Sequence, residues 1–212
     1  MAEAHEALAE QFEEMPQQTE ASLLGMWTFL ATEILFFGAM FLGYIVYRST
    51  YPEAFAEAGR HTLILYGSVN TAILLTSSFT MSLAIDSAQR GRNRPLLGFL
   101  LLTILLGCGF LLVKGLEYSE DIHEHLVPGA HFTKELSAPG QMFWVLYWIM
   151  TGVHSLHLII GVGVLAVVAW MAWGGKFSEY YHNPVLISGL YWHFVDVIWV
   201  WLYAFIYLIN RH

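Results

Sequence analysis

Charged residues are scarce in this chain of 212 residues. Only 12% are Asp, Glu, Lys or Arg, and 57% are hydrophobic, whereas about a quarter of a typical soluble domain is charged. Nine basic and 17 acidic residues are too few to cover the surface of a soluble protein of this size. The composition therefore excludes a disordered chain and an ordinary soluble enzyme.

Cysteine and basic residues are also sparse. Cys108 is the single cysteine, so the chain cannot form an internal disulfide and is not a disulfide scaffold. The net charge of −8 argues against nucleic acid as a partner, because nucleic acid selects basic patches. Residues 1–20 hold six glutamates and no Lys or Arg, which does not fit a cleavable signal peptide. We interpret residues 1–21 as an acidic N-terminal arm.

Long runs without charge follow this arm. No Asp, Glu, Lys or Arg occurs in 61–85, 95–113 or 136–175, and a bilayer core needs about 20 apolar residues in a helix. The sequence thus predicts an all-α polytopic membrane protein, with residues 22–212 forming one bundle of five transmembrane helices. The predicted spans are Ser22–Tyr47, Thr62–Ile85, Pro95–Tyr118, Gly140–Trp173 and Pro184–Ile209.

The basic residues beside these spans predict the orientation. One side carries Arg90, Arg92, Arg94 and Lys176, and the other carries Arg48, Arg60, Lys134 and Arg211. The totals are equal, but the three arginines are clustered in one short loop, and short basic loops resist translocation. We therefore predict a cytoplasmic N-terminus and a C-terminus outside the membrane.

Glu33 is a carboxylic acid near the middle of the first predicted span. A charge at that depth is costly, and such a residue is by default a candidate functional site. The alternative is a neutral side chain that only packs by hydrogen bonding to another helix. We predict that Glu33 is protonated at pH 7 and bonded to a neighbouring helix or a partner subunit. A proton wire is not expected, because the first two spans offer no series of ionisable groups.

Polar residues three positions apart mark the later spans. His154 and His157 share a face of the fourth span, His193 and Asp196 lie in the fifth, and Lys114 precedes Glu117 in the third. Ligation of a metal or haem by the histidines is one hypothesis. The other is a buried hydrogen-bond network that sets helix registry, in which His193 and Asp196 bond to each other or to another helix.

The link 119–139 is acidic and rich in histidine. Its candidate groups are Glu120, Asp121, His123, Glu124, His125 and His131. These side chains could bind a divalent cation weakly. The segment lacks the ligand spacing of a closed metal site with thiolates. We favour an interfacial loop exposed to solvent.

Four segments resemble subunit III of the haem–copper terminal oxidases, in the same order and at matching spacing. They are Gly25–Phe37 (GMWTFLATEILFF), Lys114–Tyr118 (KGLEY), Thr151–Gly161 (TGVHSLHLIIG) and Tyr191–Tyr203 (YWHFVDVIWVWLY). The resemblance covers about residues 22–209 and is to the bacterial five-helix form. The longer mitochondrial-type form has two more N-terminal helices, which wall a lipid-filled cleft.

The resemblance implies a non-redox subunit of a respiratory oxygen reductase in the bacterial inner membrane. Haem and copper are then expected on partner subunits, with no cofactor, metal or catalytic centre on this chain. Subunit I would be the main contact, with subunit II, small subunits or a supercomplex as further partners, and structural phospholipid would be bound. The expected roles are support of proton uptake and of the stability of the catalytic subunit. The family positions map onto Glu33, His154, His157, Glu117, His193 and Asp196.

Two other classes remain as alternatives. A cytochrome b-type membrane anchor would bind haem through the histidines, and its isolated chain would show a Soret band. A small transporter built around Glu33 would transport alone in liposomes. Within the oxidase family, cytochrome c oxidases, quinol oxidases and relatives associated with nitric-oxide reductases carry similar chains. We favour the cytochrome c oxidase type, although the electron-donor site lies on other subunits.

Overall fold

The computed structural model describes residues 11–12, 14–129, 132 and 136–209. Five of its helices are long and apolar enough to cross a membrane, which confirms the predicted all-α polytopic fold. Most of the acidic arm, together with His131, Lys134 and Arg211, lies outside the described residues. The helices are α1 (Met15–Thr50), α2 (Pro52–Arg60), α3 (Ile64–Gln89), α4 (Asn93–His123), α5 (Ala138–Trp173) and α6 (Asn183–Tyr203), which a π-helix continues over Ala204–Leu208.

Three helices extend clearly beyond the predicted spans. Helix α3 ends at Gln89 rather than Ile85. Helix α1 begins at Met15 rather than Ser22, with a proline in its first turn, where the missing N–H costs nothing. Helix α4 ends at His123 rather than Tyr118. Residues 119–123 are therefore helical and do not belong to the solvated loop that the sequence suggested. The extension places Asp121, which is buried, one turn after Glu117.

The short amphipathic helix α2 was not predicted. Pro52 stands in its first turn, and its one large apolar side chain, Phe55, is fully buried. The Phe55 ring makes edge contacts with Tyr44 of α1 and Phe143 of α5, at centroid distances of 5.5 and 5.6 Å. These contacts fasten the end of α1 to α5.

Helices α3 and α4 form an antiparallel hairpin, and α6 lies at the centre of the bundle. The hairpin turns at Gly91, whose φ of 64° favours glycine. Thr80 and Thr103 hydrogen-bond across the hairpin at 2.7 Å, which fixes the relative depth of the two helices. Helix α6 packs against α1, α3 and α5.

Glycines on α4 and α5 make room for Trp192 of α6. A Cβ on Gly107 would lie 2.7 Å from the Trp192 ring, and a Cβ on Gly161 would lie 3.2 Å from it. The indole Nε1 donates to Ser77 Oγ at 3.1 Å. The small size of glycine thus allows these helices to approach each other closely.

Helix α1 is at the periphery of the bundle. Its buried residues are Leu30, Phe37 and Tyr44, one every seven positions, which form a narrow stripe. Most of its apolar surface therefore faces lipid or another protein.

Candidate functional site

A buried cluster of charged and phenolic groups joins α4, α5 and the π-helix after α6. Lys114 Nζ donates to Glu117 Oε2 at 3.0 Å, to the Tyr147 hydroxyl at 3.0 Å and to the Tyr207 hydroxyl at 2.9 Å. Lys114 and Glu117 are each 1% exposed. The predicted i, i+3 pairing of these two residues is present, but deep within the protein.

The hydrogen atoms of this cluster can be assigned by counting donors. An ammonium has three N–H donors, and all those of Lys114 are used. The Tyr207 hydroxyl therefore donates to Glu117 Oε1. The single hydrogen of Tyr147 can serve Asp121 Oδ2 at 2.7 Å or Glu117 Oε1 at 3.1 Å, and the shorter distance favours Asp121. One cation is thus joined to two acidic side chains by two shared tyrosines.

Aromatic faces surround the same ammonium. Lys114 Nζ lies 4.6 Å from the centroid of the Tyr147 ring, 4.9 Å from that of Tyr118 and 5.6 Å from that of Trp199. A cation over an aromatic face is attracted by the ring quadrupole, more strongly when it is desolvated. The cluster therefore replaces the lost hydration of Lys114 and ties three helical segments together. Its geometry is that of a scaffold.

A second polar contact joins Glu33 of α1 to His157 of α5. Glu33 Oε2 lies 3.1 Å from His157 Nε2, and the side chains are 17% and 15% exposed. The opposite ring nitrogen, Nδ1, lies 2.9 Å from the Val153 carbonyl oxygen. The Phe37 ring packs against the imidazole at 5.2 Å.

The position of the Val153 carbonyl determines the proton count of this pair. A carbonyl oxygen only accepts, so His157 Nδ1 must carry a hydrogen. The Nε2–Oε2 contact then holds one further proton, either on a neutral Glu33 or on a cationic His157. The pair is neutral in both cases. The structure thus gives Glu33 the neighbouring-helix partner that was predicted, whereas its protonation at pH 7 remains a prediction.

His154 points into the centre of the bundle and away from His157. Its ring lies 5.1 Å from Trp199 and 5.5 Å from Phe110. Neither ring nitrogen has a hydrogen-bond partner among the described residues, and the same holds for the side-chain amide of buried Asn70. The two histidines of the fourth span therefore have different environments. His157 has polar partners, whereas His154 contacts aromatic rings.

His193 bonds to Ser78 of α3 and makes no direct bond to Asp196. Ser78 Oγ lies 2.7 Å from His193 Nδ1. Neither side-chain oxygen of Asp196, which is 4% exposed, has a hydrogen-bond partner among the described residues. Of the two predicted arrangements, bonding to another helix is formed for His193, and neither is formed for Asp196.

The six predicted site residues thus lie in separate places. Glu33 and His157 meet, Glu117 belongs to the Lys114 cluster, His193 and Asp196 face α3, and His154 is alone in the core. In the described ranges no group of three or more His, Cys, Asp or Glu side chains is arranged to hold a metal ion. Sequence reasoning missed the roles of Tyr147, Tyr207 and Asp121, since nothing in their spacing signals the partners that tertiary packing supplies.

Comparison with known proteins gives a consistent result. The family described as "Cytochrome c oxidase subunit III" matches residues 13–211. A quinol oxidase subunit 3 of Bacillus subtilis is 28% identical over 194 residues, which cover 89% of this chain and 87% of the relative. A cytochrome c oxidase subunit 3 of Corynebacterium diphtheriae is 32% identical over 88% of this chain and 87% of the relative. The corresponding protein of Oncorhynchus mykiss is 35% identical over 86% and 67%.

The fold and these matches define a multi-pass helical membrane protein of the kind that forms one subunit of a terminal oxidase. The chain belongs to the cytochrome c oxidase subunit III family, as its four motifs had indicated. Members of this family are parts of haem–copper oxidase complexes, so this chain has partner oxidase subunits.

Proposed function

We propose that this chain is the non-redox subunit III of a respiratory oxygen reductase of the cytochrome c oxidase type. It packs on subunit I, beside subunit II and any small subunits, binds membrane phospholipid, and supports proton uptake and the durability of the catalytic subunit. Haem and copper lie on the partner subunits. Its N-terminus is cytoplasmic.

The main support for this proposal is that the polar groups of two buried sites bond to one another within the chain. Lys114, Glu117, Tyr147 and Tyr207 bond to one another, and Glu33 bonds to His157. These contacts lock α1, α4, α5 and α6 together. The histidines do not converge on a common point. Such an arrangement supports a rigid scaffold against which another membrane subunit is held, and it does not favour a haem-binding anchor.

Lipid binding is supported by a groove between α1 and α6. Its cavity volume is about 460 Å³, and its walls are apolar, formed mainly by Phe37, Phe41, Val197, Trp201 and Phe205. A groove of this shape suits an acyl chain. Lipid would fill surface that the bundle itself leaves open.

Support of proton uptake rests on the Glu33–His157 pair. The pair holds one proton at the contact between α1 and α5. Two aromatic rings of α1, Phe36 and Phe37, flank the imidazole. A role as a through-membrane wire would need further ionisable groups at successive depths. We therefore assign the pair a local role, which stabilises the packing of α1 and tunes the partner subunit.

Depletion of this chain from the intact oxidase tests the proposal. The depleted enzyme should begin turnover with its electron transfer intact, but it should take up protons more slowly and lose activity during turnover. Oxygen consumption followed over time, with the re-added chain as a control, measures both effects. A depleted enzyme that keeps wild-type proton uptake and lifetime would contradict the proposal.

A quinol oxidase is the second candidate, because one of the similar relatives is the quinol oxidase subunit 3 of Bacillus subtilis. The electron donor is a property of the partner subunits. Copper analysis of the co-purified subunit II distinguishes the two: bound copper indicates the cytochrome c type, and its absence the quinol type.

A further inference from the structure

The face formed by α3 and α6 carries a polar group that this chain does not satisfy. His193 is half-buried between the two helices. Its Nε2 reaches one polar side-chain atom among the described residues, Ser82 Oγ, at 3.5 Å. Ser82 is exposed, so the imidazole edge opens toward the outside of the bundle.

Neither tautomer of His193 resolves this deficit. If Nδ1 carries the hydrogen, Nε2 needs a donor, but the Ser82 hydroxyl already donates to the Ser78 carbonyl oxygen at 3.1 Å. If Nε2 carries the hydrogen, Ser82 Oγ is an acceptor at a distance longer than ordinary N–H···O bonds. Nδ1 is held by Ser78 Oγ in both cases. Nε2 is therefore left for a group from outside the chain.

This polar edge lies near the middle of α3. At 1.5 Å per residue, Ser78 is about 21 Å from Ile64 and about 16 Å from Gln89, the ends of the helix. Lipid headgroups do not reach that depth, and acyl chains offer no hydrogen bond. In the bilayer core, polar atoms are satisfied within protein. A hydrogen-bonding group at that depth comes from membrane-embedded protein or from water that protein encloses.

Three other surfaces within the described part of the chain differ from this face. The outward side of α4 at the same depth is built from Leu101, Leu105 and Leu112, which suit lipid. Exposed hydroxyls such as Thr28 and Thr76 bond to the carbonyl four residues earlier in their own helix. Glu33 is partly exposed, but its Oε2 and both ring nitrogens of His157 have partners within the chain.

We propose that the α3–α6 face, comprising Leu75, Phe79, Ser82 and His193, is the docking surface for the catalytic subunit of the oxidase. A polar side chain of that subunit, set among apolar ones near mid-membrane, hydrogen-bonds His193 Nε2. The inference rests on the proposed function, which supplies the partner. It adds which face of this chain the partner covers and which residue gives that face its specificity.

Photo-crosslinking in native membranes tests the docking surface. A photoreactive benzoylphenylalanine is placed at Phe79, which is 64% exposed and on this face. The matched control replaces Leu105, which is 66% exposed on α4 and, through the Thr80–Thr103 bond, lies at nearly the same depth. A further probe replaces Leu35 on the outer side of α1.

Phe79 should yield an adduct with the haem-bearing subunit at least about five times more often than Leu105 or Leu35. Equal yields, an adduct from Phe79 to lipid only, or an adduct to a small subunit or a second copy of this chain would overturn the docking surface. If the unmodified chain co-purifies with no haem-bearing subunit, the proposed function itself fails. If it co-purifies and only the Phe79 adduct is missing, the docking inference alone fails.

Replacement of His193 tests its role in that surface. The H193Q variant retains a polar group near the position of Nε2 and should keep most of the catalytic subunit during detergent washing. The H193F variant, which also loses the bond between Nδ1 and Ser78, should lose that subunit about tenfold faster than an S78A control, which loses that bond alone. Equal retention of the subunit by H193F and wild type would overturn the role of His193.

Discussion

The Lys114–Glu117 pair allows a quantitative test of the buried cluster. In K114M, three hydrogen bonds to Nζ disappear and the buried carboxylate of Glu117 loses its cation. Breaking a buried ion pair by removing one partner costs about 3–5 kcal/mol, and three hydrogen bonds at about 1 kcal/mol each give a similar figure. We therefore expect K114M to lower the free energy of unfolding by about 3–5 kcal/mol.

Removal of both charges should restore much of this loss. The double variant K114M/E117Q no longer buries an unpaired charge at these positions, and the amide that replaces the Glu117 carboxylate retains an acceptor for the Tyr207 hydroxyl. Neutral replacements of whole buried pairs are often tolerated, so we expect a cost of about 1–2 kcal/mol for the double variant. The double variant should therefore cost much less than the sum of the two single substitutions.

The assay is denaturant titration of the detergent-solubilised chain, followed by tryptophan fluorescence. A matched control is the exposed pair Arg90–Asp86, which is 2.7 Å apart with side chains 58% and 51% exposed. R90A should cost less than about 1 kcal/mol, as exposed pairs do. Additive costs for the two buried substitutions, or a K114M cost no larger than that of R90A, would refute the reasoning.

Three further predictions concern other parts of the bundle. E33Q should assemble almost normally, because the amide can still donate to His157, whereas E33A should loosen the complex; a protonated-carboxyl infrared band lost in E33Q would show that Glu33 is neutral. G107A should lower the free energy of unfolding by about 1–3 kcal/mol through overpacking against Trp192, while G109A, which meets nothing within 4 Å, should have no such effect. D196A should weaken assembly by about 1–2 kcal/mol and D196N by less, as measured by subunit retention in detergent. Normal assembly of E33A, equal stability of G107A and G109A, or equal retention in D196A and wild type would contradict these predictions in turn.

The number and order of the membrane spans could be predicted because a bilayer excludes charge. The uncharged run 136–175 alone sets the limits of α5 closely. Helix ends were harder to place, since their residues meet water or the bundle. The composition of residues 119–123 is typical of a loop exposed to solvent. In the fold Asp121 is buried against the bundle, and helix α4 extends through these residues to His123. Helix α2 is short and depends on burial of Phe55 against residues distant in the chain.

The site could be predicted as residues but not as contacts. Glu33 and His157 each stand out as polar groups in an apolar helix, but their pairing joins positions far apart in sequence, and only the packing of α1 on α5 brings them together. His193 and Asp196 looked like a pair by their spacing. In the fold His193 bonds to Ser78 of α3, whereas Asp196 has no hydrogen-bond partner among the described residues. Local spacing identifies a face of a helix, whereas tertiary packing decides which group that face meets.

The central claim is that this chain works as a scaffold subunit bound to a haem-bearing catalytic subunit. The most direct measurement is purification of the tagged chain from its native membranes in mild detergent, with haem and subunit content determined for the purified particle. We predict one copy of this chain for each haem-bearing subunit, with all haem on the partner after the subunits are separated. A stable solitary monomer without such a partner, or stoichiometric haem on this chain alone, would contradict the account.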